Sequence, residues 1–122
     1  MSEQSKRRSF LFVPAEQSIG GVAWQPAADI YRTSTGWLLK FELAGVTPDD
    51  VAVEVHGSRL TVCGVRRDLL IGDCCTHYSM EIAYDRFERM VELPCDLQQA
   101  HLKLEFRDGI LVVRITCKRE RS

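Results

Sequence analysis

Three observations predict an all-β domain built as an antiparallel β-sandwich. They are short runs of alternating apolar and polar residues, tight-turn residues between those runs, and no apolar period that sustains a long helix. The clearest instance lies near the C-terminal end. Leu102, Leu104 and Phe106 share one face while Lys103, Glu105 and Arg107 share the other. Asp108-Gly109 follows, and then Leu111, Val113 and Ile115 repeat the alternation. Asp-Gly accepts the positive φ angles of a two-residue turn, so this segment reads as a β-hairpin.

The other elements follow in chain order. Residues 1–23 have no stable period and read as a flexible N-terminal arm, with Phe10-Leu11-Phe12-Val13 as an apolar island before Gly20-Gly21. Asp29 to Thr33 is a short strand, turned by Thr35-Gly36. Trp37, Leu39, Phe41 and Leu43 then alternate with Leu38, Lys40 and Glu42, as in a half-buried strand. Thr47-Pro48-Asp49-Asp50 predicts a single helical turn with Thr47 as its cap and Pro48 at the first position. Val51, Val53 and Val55 form the next inward row, and His56-Gly57-Ser58 turns into Leu60 and Val62, ending near Gly64. Residues 65–85, including Arg66-Arg67-Asp68, Gly72-Asp73 and Cys74-Cys75, read as a long loop. Inside it Tyr78, Met80, Ile82 and Tyr84 alternate with Ser79, Glu81 and Ala83, which predicts one more short strand. So long a connection in a small domain argues for a functional role. Phe87, Arg89, Val91 and Leu93 share one face of a strand that Pro94 ends.

Composition bounds the possibilities. With 122 residues the chain makes one domain, and 45% apolar with 27% charged residues is ordinary globular usage. A net charge of −1 gives no electrostatic basis for nucleic-acid or membrane-surface binding. No apolar run reaches the roughly 20 residues of a membrane span. Lys6-Arg7-Arg8-Ser9-Phe10-Leu11-Phe12 resembles a twin-arginine export signal, but Pro14, Glu16 and Gln17 interrupt the apolar stretch such a signal needs. Five cysteines, at 63, 74, 75, 95 and 117, make an odd set without a Cys-x-x-Cys pair. Reduced thiols and a cytoplasmic location are expected.

Catalytic chemistry finds no foothold. His56, His77 and His101 lie in a turn, a loop strand and a strand start, outside any nucleophile motif, and there is no P-loop. The chain is therefore not expected to be an enzyme. Adjacent Cys74 and Cys75 with His77 fit tetrahedral zinc awkwardly, so no metal and no cofactor are expected. Cys74 and Cys75 remain candidates for redox chemistry across an interface, whereas Cys63 reads as strand packing.

Several motifs in order carry a family resemblance. They are Trp24 and Pro26 leading into Asp29-Ile30-Tyr31, then Glu42-Leu43-Ala44-Gly45-Val46, then Leu60-Thr61-Val62-Cys63-Gly64. Phe87-Glu88-Arg89-Met90-Val91-Glu92-Leu93-Pro94 and Asp108-Gly109-Ile110-Leu111 complete the set. Over about Trp24 to Lys118 the chain resembles the small heat-shock proteins in their bacterial and plant form. The resemblance implies an immunoglobulin-like β-sandwich, the α-crystallin domain, over 24–118, with a short tail at 119–122. It also implies an ATP-independent holdase that binds unfolding client proteins and suppresses their aggregation.

Further expectations come from the same resemblance. The long loop would carry a strand, about His77 to Ala83, that crosses to a second copy and makes a homodimer by strand exchange, or a small higher oligomer. Tyr78, Met80, Ile82 and Arg89 would then face the dimer interface. A groove between the family's fourth and eighth strands would be lined by Val51, Val53 and Val55 on one edge and Leu102 and Leu104 on the other. Three departures stand out. Ala44 replaces a usual proline, Asp85 replaces a common glycine, and Lys118-Arg119-Glu120-Arg121-Ser122 lacks the family's Ile-x-Ile tail motif. The arm Phe10-Leu11-Phe12-Val13, or a client segment, is expected to fill the groove instead. The alternative reading is a CS-domain-like co-chaperone adaptor or scaffold for a folded partner, against which the long 65–85 loop argues.

Overall fold

In a computed structural model the described residues are 8–9, 22, 24–68 and 76–117. Phe10 to Val13, Cys74, Cys75 and the 119–122 tail lie outside them. The described residues form eight strands: β1 (Arg8–Ser9), β2 (Ala28–Arg32), β3 (Gly36–Glu42), β4 (Val51–His56), β5 (Arg59–Arg66), β6 (Asp85–Glu92), β7 (His101–Arg107) and β8 (Ile110–Thr116). One sheet has the order β1-β4-β5-β6 and the other β2-β3-β8-β7, with every strand pair antiparallel. Two 3₁₀ turns, Pro48–Asp50 and Leu97–Gln99, are the helices among these residues.

The core consists of the two inner faces. In one sheet Phe41, Leu111 and Phe106 lie side by side across three strands, as do Leu39, Val113 and Leu104. In the other, Val55, Leu60 and Val91 make such a row, and Val53 and Val62 pair in the next. Leu39, Phe41, Val53, Val55, Leu60, Val62, Leu111 and Val113 are fully buried. Each such side chain contributes roughly 1.5–3 kcal/mol by leaving water.

Turn chemistry sets the registers. Asp108 (φ 51°) and Gly109 (φ 83°) both take positive φ, so Arg107 pairs with Ile110 across a two-residue turn, as Asp-Gly predicts. Gly57-Ser58 does the same work between His56 and Arg59. At Pro48–Asp50 the expected cap differs. Thr47 makes no side-chain bond to the backbone; its hydroxyl donates to Asp50 Oδ2 at 3.1 Å. Asp96 is the residue that caps a turn, accepting from the Gln98 N–H at 2.9 Å.

Two expectations are corrected. The strand containing Leu60 and Val62 does not end near Gly64 but runs to Arg66. Gly64 permits this, because a Cβ there would lie 2.0 Å from the Asp50 carbonyl and 2.8 Å from the Phe87 ring. The Phe87 ring fills the space that glycine leaves. The second correction concerns 78–84, which forms no strand here. Alternation supplies a strand's faces, but its backbone also needs an adjacent strand to hydrogen-bond with, and 76–84 has none among the described residues. The eighth strand comes instead from Arg8–Ser9, in a segment without any alternating signal.

Asp85 accounts for a departure noted above. Its φ is 84°, in the region that favours glycine. Asp85→Gly is therefore expected to raise stability by about 0.5–1 kcal/mol, and Gly64→Ala to lower it by about 2–3 kcal/mol through overpacking. Urea unfolding midpoints measure both.

Candidate functional site

The chemistry-bearing side chains gather where the long 65–85 connection leaves and rejoins the sandwich. Arg66, at the end of β5, is buried, with 9% of its surface exposed. Its Nε donates to the Ala44 carbonyl at 3.0 Å and its Nη1 to the Ala83 carbonyl at 2.8 Å. The guanidinium carbon stands 4.2 Å over the Trp24 ring. Trp24 in turn packs against Phe87 with ring centroids 5.1 Å apart, and its indole N–H donates to the Asp85 carbonyl at 3.1 Å. A parallel bridge joins Trp24 to Phe87 through the backbone. One buried cation thus ties four separate stretches together. Sequence reasoning missed it, because Arg66-Arg67-Asp68 looks like solvated loop charge; the signal available was Gly64, which lets the strand continue.

Next to it, Arg67 makes a two-pronged ion pair with Asp50. Nε lies 2.9 Å from Oδ2 and Nη2 lies 3.0 Å from Oδ1. Those hydrogen bonds hold the Asp50 carboxyl below its usual 3.8, against the opposing effect of burial and with a smaller contribution from the Thr47 hydroxyl. A depressed folded-state pKa stabilises the fold above pH 3.8 and loses that effect as pH falls through the folded value.

The expected site residues fall into three groups. Val51, Val53 and Val55 are fully buried and Leu102 is 9% exposed. They belong to the core, which corrects the expectation that their side chains line an open groove. On β4 these alternate valines belong to the one core cluster that both sheets share. Leu104 is only partly buried. Beside these residues, the backbone of Arg8–Ser9 pairs with β4, Arg8 opposite Val55 and Ser9 opposite Glu54.

Tyr78, Met80 and Ile82 form the second group. They are 100%, 52% and 63% exposed, and none is brought against the core. β2 pairs with β3 on one side only among the described residues, and Ile30 and Tyr31 on it are exposed large apolar side chains. Arg89 is half-buried on the inward-facing row of β6, and its Nη1 donates to the Pro26 carbonyl at 3.0 Å. Within one chain it anchors the segment leading into β2.

The redox candidates Cys74 and Cys75 lie outside the described residues. Cys63 is half-buried on β5, and burial together with the Glu54 and Glu88 carboxylates pushes its thiol up to about 11. It is held as an unreactive thiol. Cys95 and Cys117, distant in sequence, have their Sγ atoms 2.8 Å apart.

With this geometry in view, the comparisons with known proteins are decisive. Residues 29–122 match the Hsp20/alpha crystallin family. The chain belongs to that family. The small heat shock protein C4 of Rickettsia felis is 30% identical over 80% of the chain and 59% of its own length. C2 of the same organism is 26% identical over 78% of the chain and 62% of its own length. The chain thus spans about three-fifths of these relatives. Among solved structures, HSP18.5 from E. histolytica is similar at a TM-score of 0.63 with 28% identity, covering 77% of this chain and 88% of that one. A small heat-shock protein from Xylella fastidiosa reaches 0.69 at 22% identity over 83% and 93% of the two chains, a likeness of fold. The immunoglobulin-like α-crystallin sandwich is the fold of this protein.

Two predictions follow from the arginine cluster. Arg66→Met should cost about 3 kcal/mol in urea unfolding, since two carbonyls lose charge-assisted hydrogen bonds. Arg66→Lys should recover little of this, a single ammonium being a poor match for both carbonyls and the ring. Asp50→Asn should lower the melting temperature at pH 7, and the gap from the parent should close as pH is taken below 3.8, read by thermal melts across pH.

Proposed function

We propose that this protein is an ATP-independent holdase that binds partly unfolded proteins and keeps them from aggregating. The observation that carries the reading is the segment 76–84. It holds Tyr78, Met80 and Ile82 at alternate positions, all exposed, in a stretch with no strand partner among the described residues. Apolar side chains spaced by two in an unpaired segment are a strand awaiting an edge. The outer side of β2, with Ile30 and Tyr31 exposed, offers such an edge in a second copy. Exchange of 77–83 between two chains would bury these residues and give a symmetric homodimer, which small higher oligomers could extend. Arg89 would then stand near the interface through the Pro26 segment that it holds.

Client capture requires apolar surface that opens and closes. The backbone pairing of Arg8–Ser9 with β4 supports an N-terminal arm that occupies that sheet edge and can yield it to an extended client segment. Phe10 to Val13 would sit beside it and reach toward Leu104.

Light scattering of a heated model client without ATP, paired with native mass spectrometry, tests the proposal. Suppression by a dimer or larger species is the expected result. No suppression at excess protein, with a monomeric mass, would sink it in favour of the adaptor reading. Tyr78→Asp with Ile82→Asp should give monomers that retain the β-sheet circular dichroism of the parent. Deleting residues 1–14 should change assembly size and client protection; unchanged values for both would remove the arm from the mechanism.

A further inference from the structure

We propose that Cys95 and Cys117 are an oxidation site, a dithiol that closes to an intrachain disulfide under peroxide and staples the two sheets together. The pair is built by the fold. Cys95 lies between β6 and the Leu97–Gln99 turn, in the crossover from one sheet to the other. Cys117 immediately follows β8, and its N–H donates to the Thr35 carbonyl at 2.9 Å. Both side chains are half-buried and pack against the hydrophobic core. Their Sγ atoms are 2.8 Å apart, and an S–S bond is about 2.05 Å, so closure needs a shift of about 0.75 Å. The Cys95 segment is anchored on either side of its thiol. Leu97 N–H donates to the Gly57 carbonyl, and Leu93 N–H donates to the Ser58 carbonyl.

The step balances with hydrogen peroxide as oxidant. Burial of Cys95, the adjoining Cys117 sulfur and, least, the Asp96 carboxylate push the Cys95 thiol up; Cys117 is taken as the first sulfur to react. Its sulfur bonds to one peroxide oxygen, the O–O bond breaks, and the departing hydroxide leaves as water with the Cys117 proton. Cys95 sulfur then attacks the Cys117 sulfenic acid. The S–S bond forms, the S–O bond breaks, and hydroxide takes the Cys95 proton as a second water. Two thiols lose two hydrogens and two electrons to one peroxide.

The bond would enclose the whole β7–β8 hairpin and pin the start of β7 beside the end of β8. It would therefore restrain the edge carrying Leu102 and Leu104, and the point at which the chain continues past Cys117. Neither loop cysteine is required.

The test uses the full chain, treated with one equivalent of hydrogen peroxide and alkylated after denaturation. Expected are an intact mass short of two hydrogens, a cross-linked Cys95–Cys117 peptide after digestion, and a melting temperature raised on the order of 10 °C and reversed by dithiothreitol. Cys74→Ser with Cys75→Ser should leave all three unchanged, and Cys117→Ser should abolish them. Alkylation of both Cys95 and Cys117 after peroxide, or their recovery only in bridges to Cys74, Cys75 or a second chain, would overturn the proposal. Peptide mapping on the unsubstituted chain decides this even where a variant fails to fold.

Discussion

Two small sheets, with no long helix among the described residues to cover them, shelter their apolar faces against each other, and nearly every feature of this protein follows from that constraint. The rows through Phe41, Leu111 and Phe106 and through Val55, Leu60 and Val91 must face inward together. A one-residue slip in either sheet would turn a whole row to water. The Asp108-Gly109 and Gly57-Ser58 turns prevent that slip by fixing two hairpin registers. Gly64 removes a side chain where the Phe87 ring needs the volume. Val51, Val53 and Val55 go to the interior for the same reason, which leaves the β4 edge with backbone to offer and few side chains.

A sandwich of this kind closes its faces but not its ends or edges. Arg66 closes one end. Its guanidinium replaces water with the Ala44 and Ala83 carbonyls and the Trp24 ring. A buried cation without a carboxylate among these contacts is tolerable because it is fully engaged and spread over a polarisable ring. The arrangement holds the return of the long connection in place while 76–82 projects outward. Rigidity at the root and exposure along the stem are the physical requirements for a segment that serves a second molecule. The opposite end carries the two thiols, where one crossover meets the end of β8.

The edges are where membership of the Hsp20/alpha crystallin family acquires mechanical meaning. Among the described residues β2 has one paired side, and the side of β4 away from β5 is met by the two-residue β1. Unpaired strand edges invite aggregation unless something blunts them. The holdase activity proposed above would need such edges, held in a fold stable enough not to join the aggregate. The deep, dry core and the exposed 76–84 segment are two sides of that requirement.

Local pattern alone determined the all-β class, seven of the strands, the inward rows and the hairpin turns, because alternation and turn chemistry act over neighbouring residues. It also showed that 65–85 was unusual. It misassigned what depends on partners distant in sequence. Tyr78 to Tyr84 has a strand's alternation without a neighbour to pair with, while Arg8–Ser9 has no pattern and pairs because β4 has an open side. Arg66 reads as loop charge until Trp24, Ala44 and Ala83 are brought around it. Attention to the adjacent Cys74-Cys75 passed over Cys95 and Cys117, which only the crossing of the two sheets sets side by side. Sequence spacing encodes which face a side chain takes; tertiary structure alone decides which groups, tens of residues apart, share a hydrogen bond, a ring face or a thiol pair.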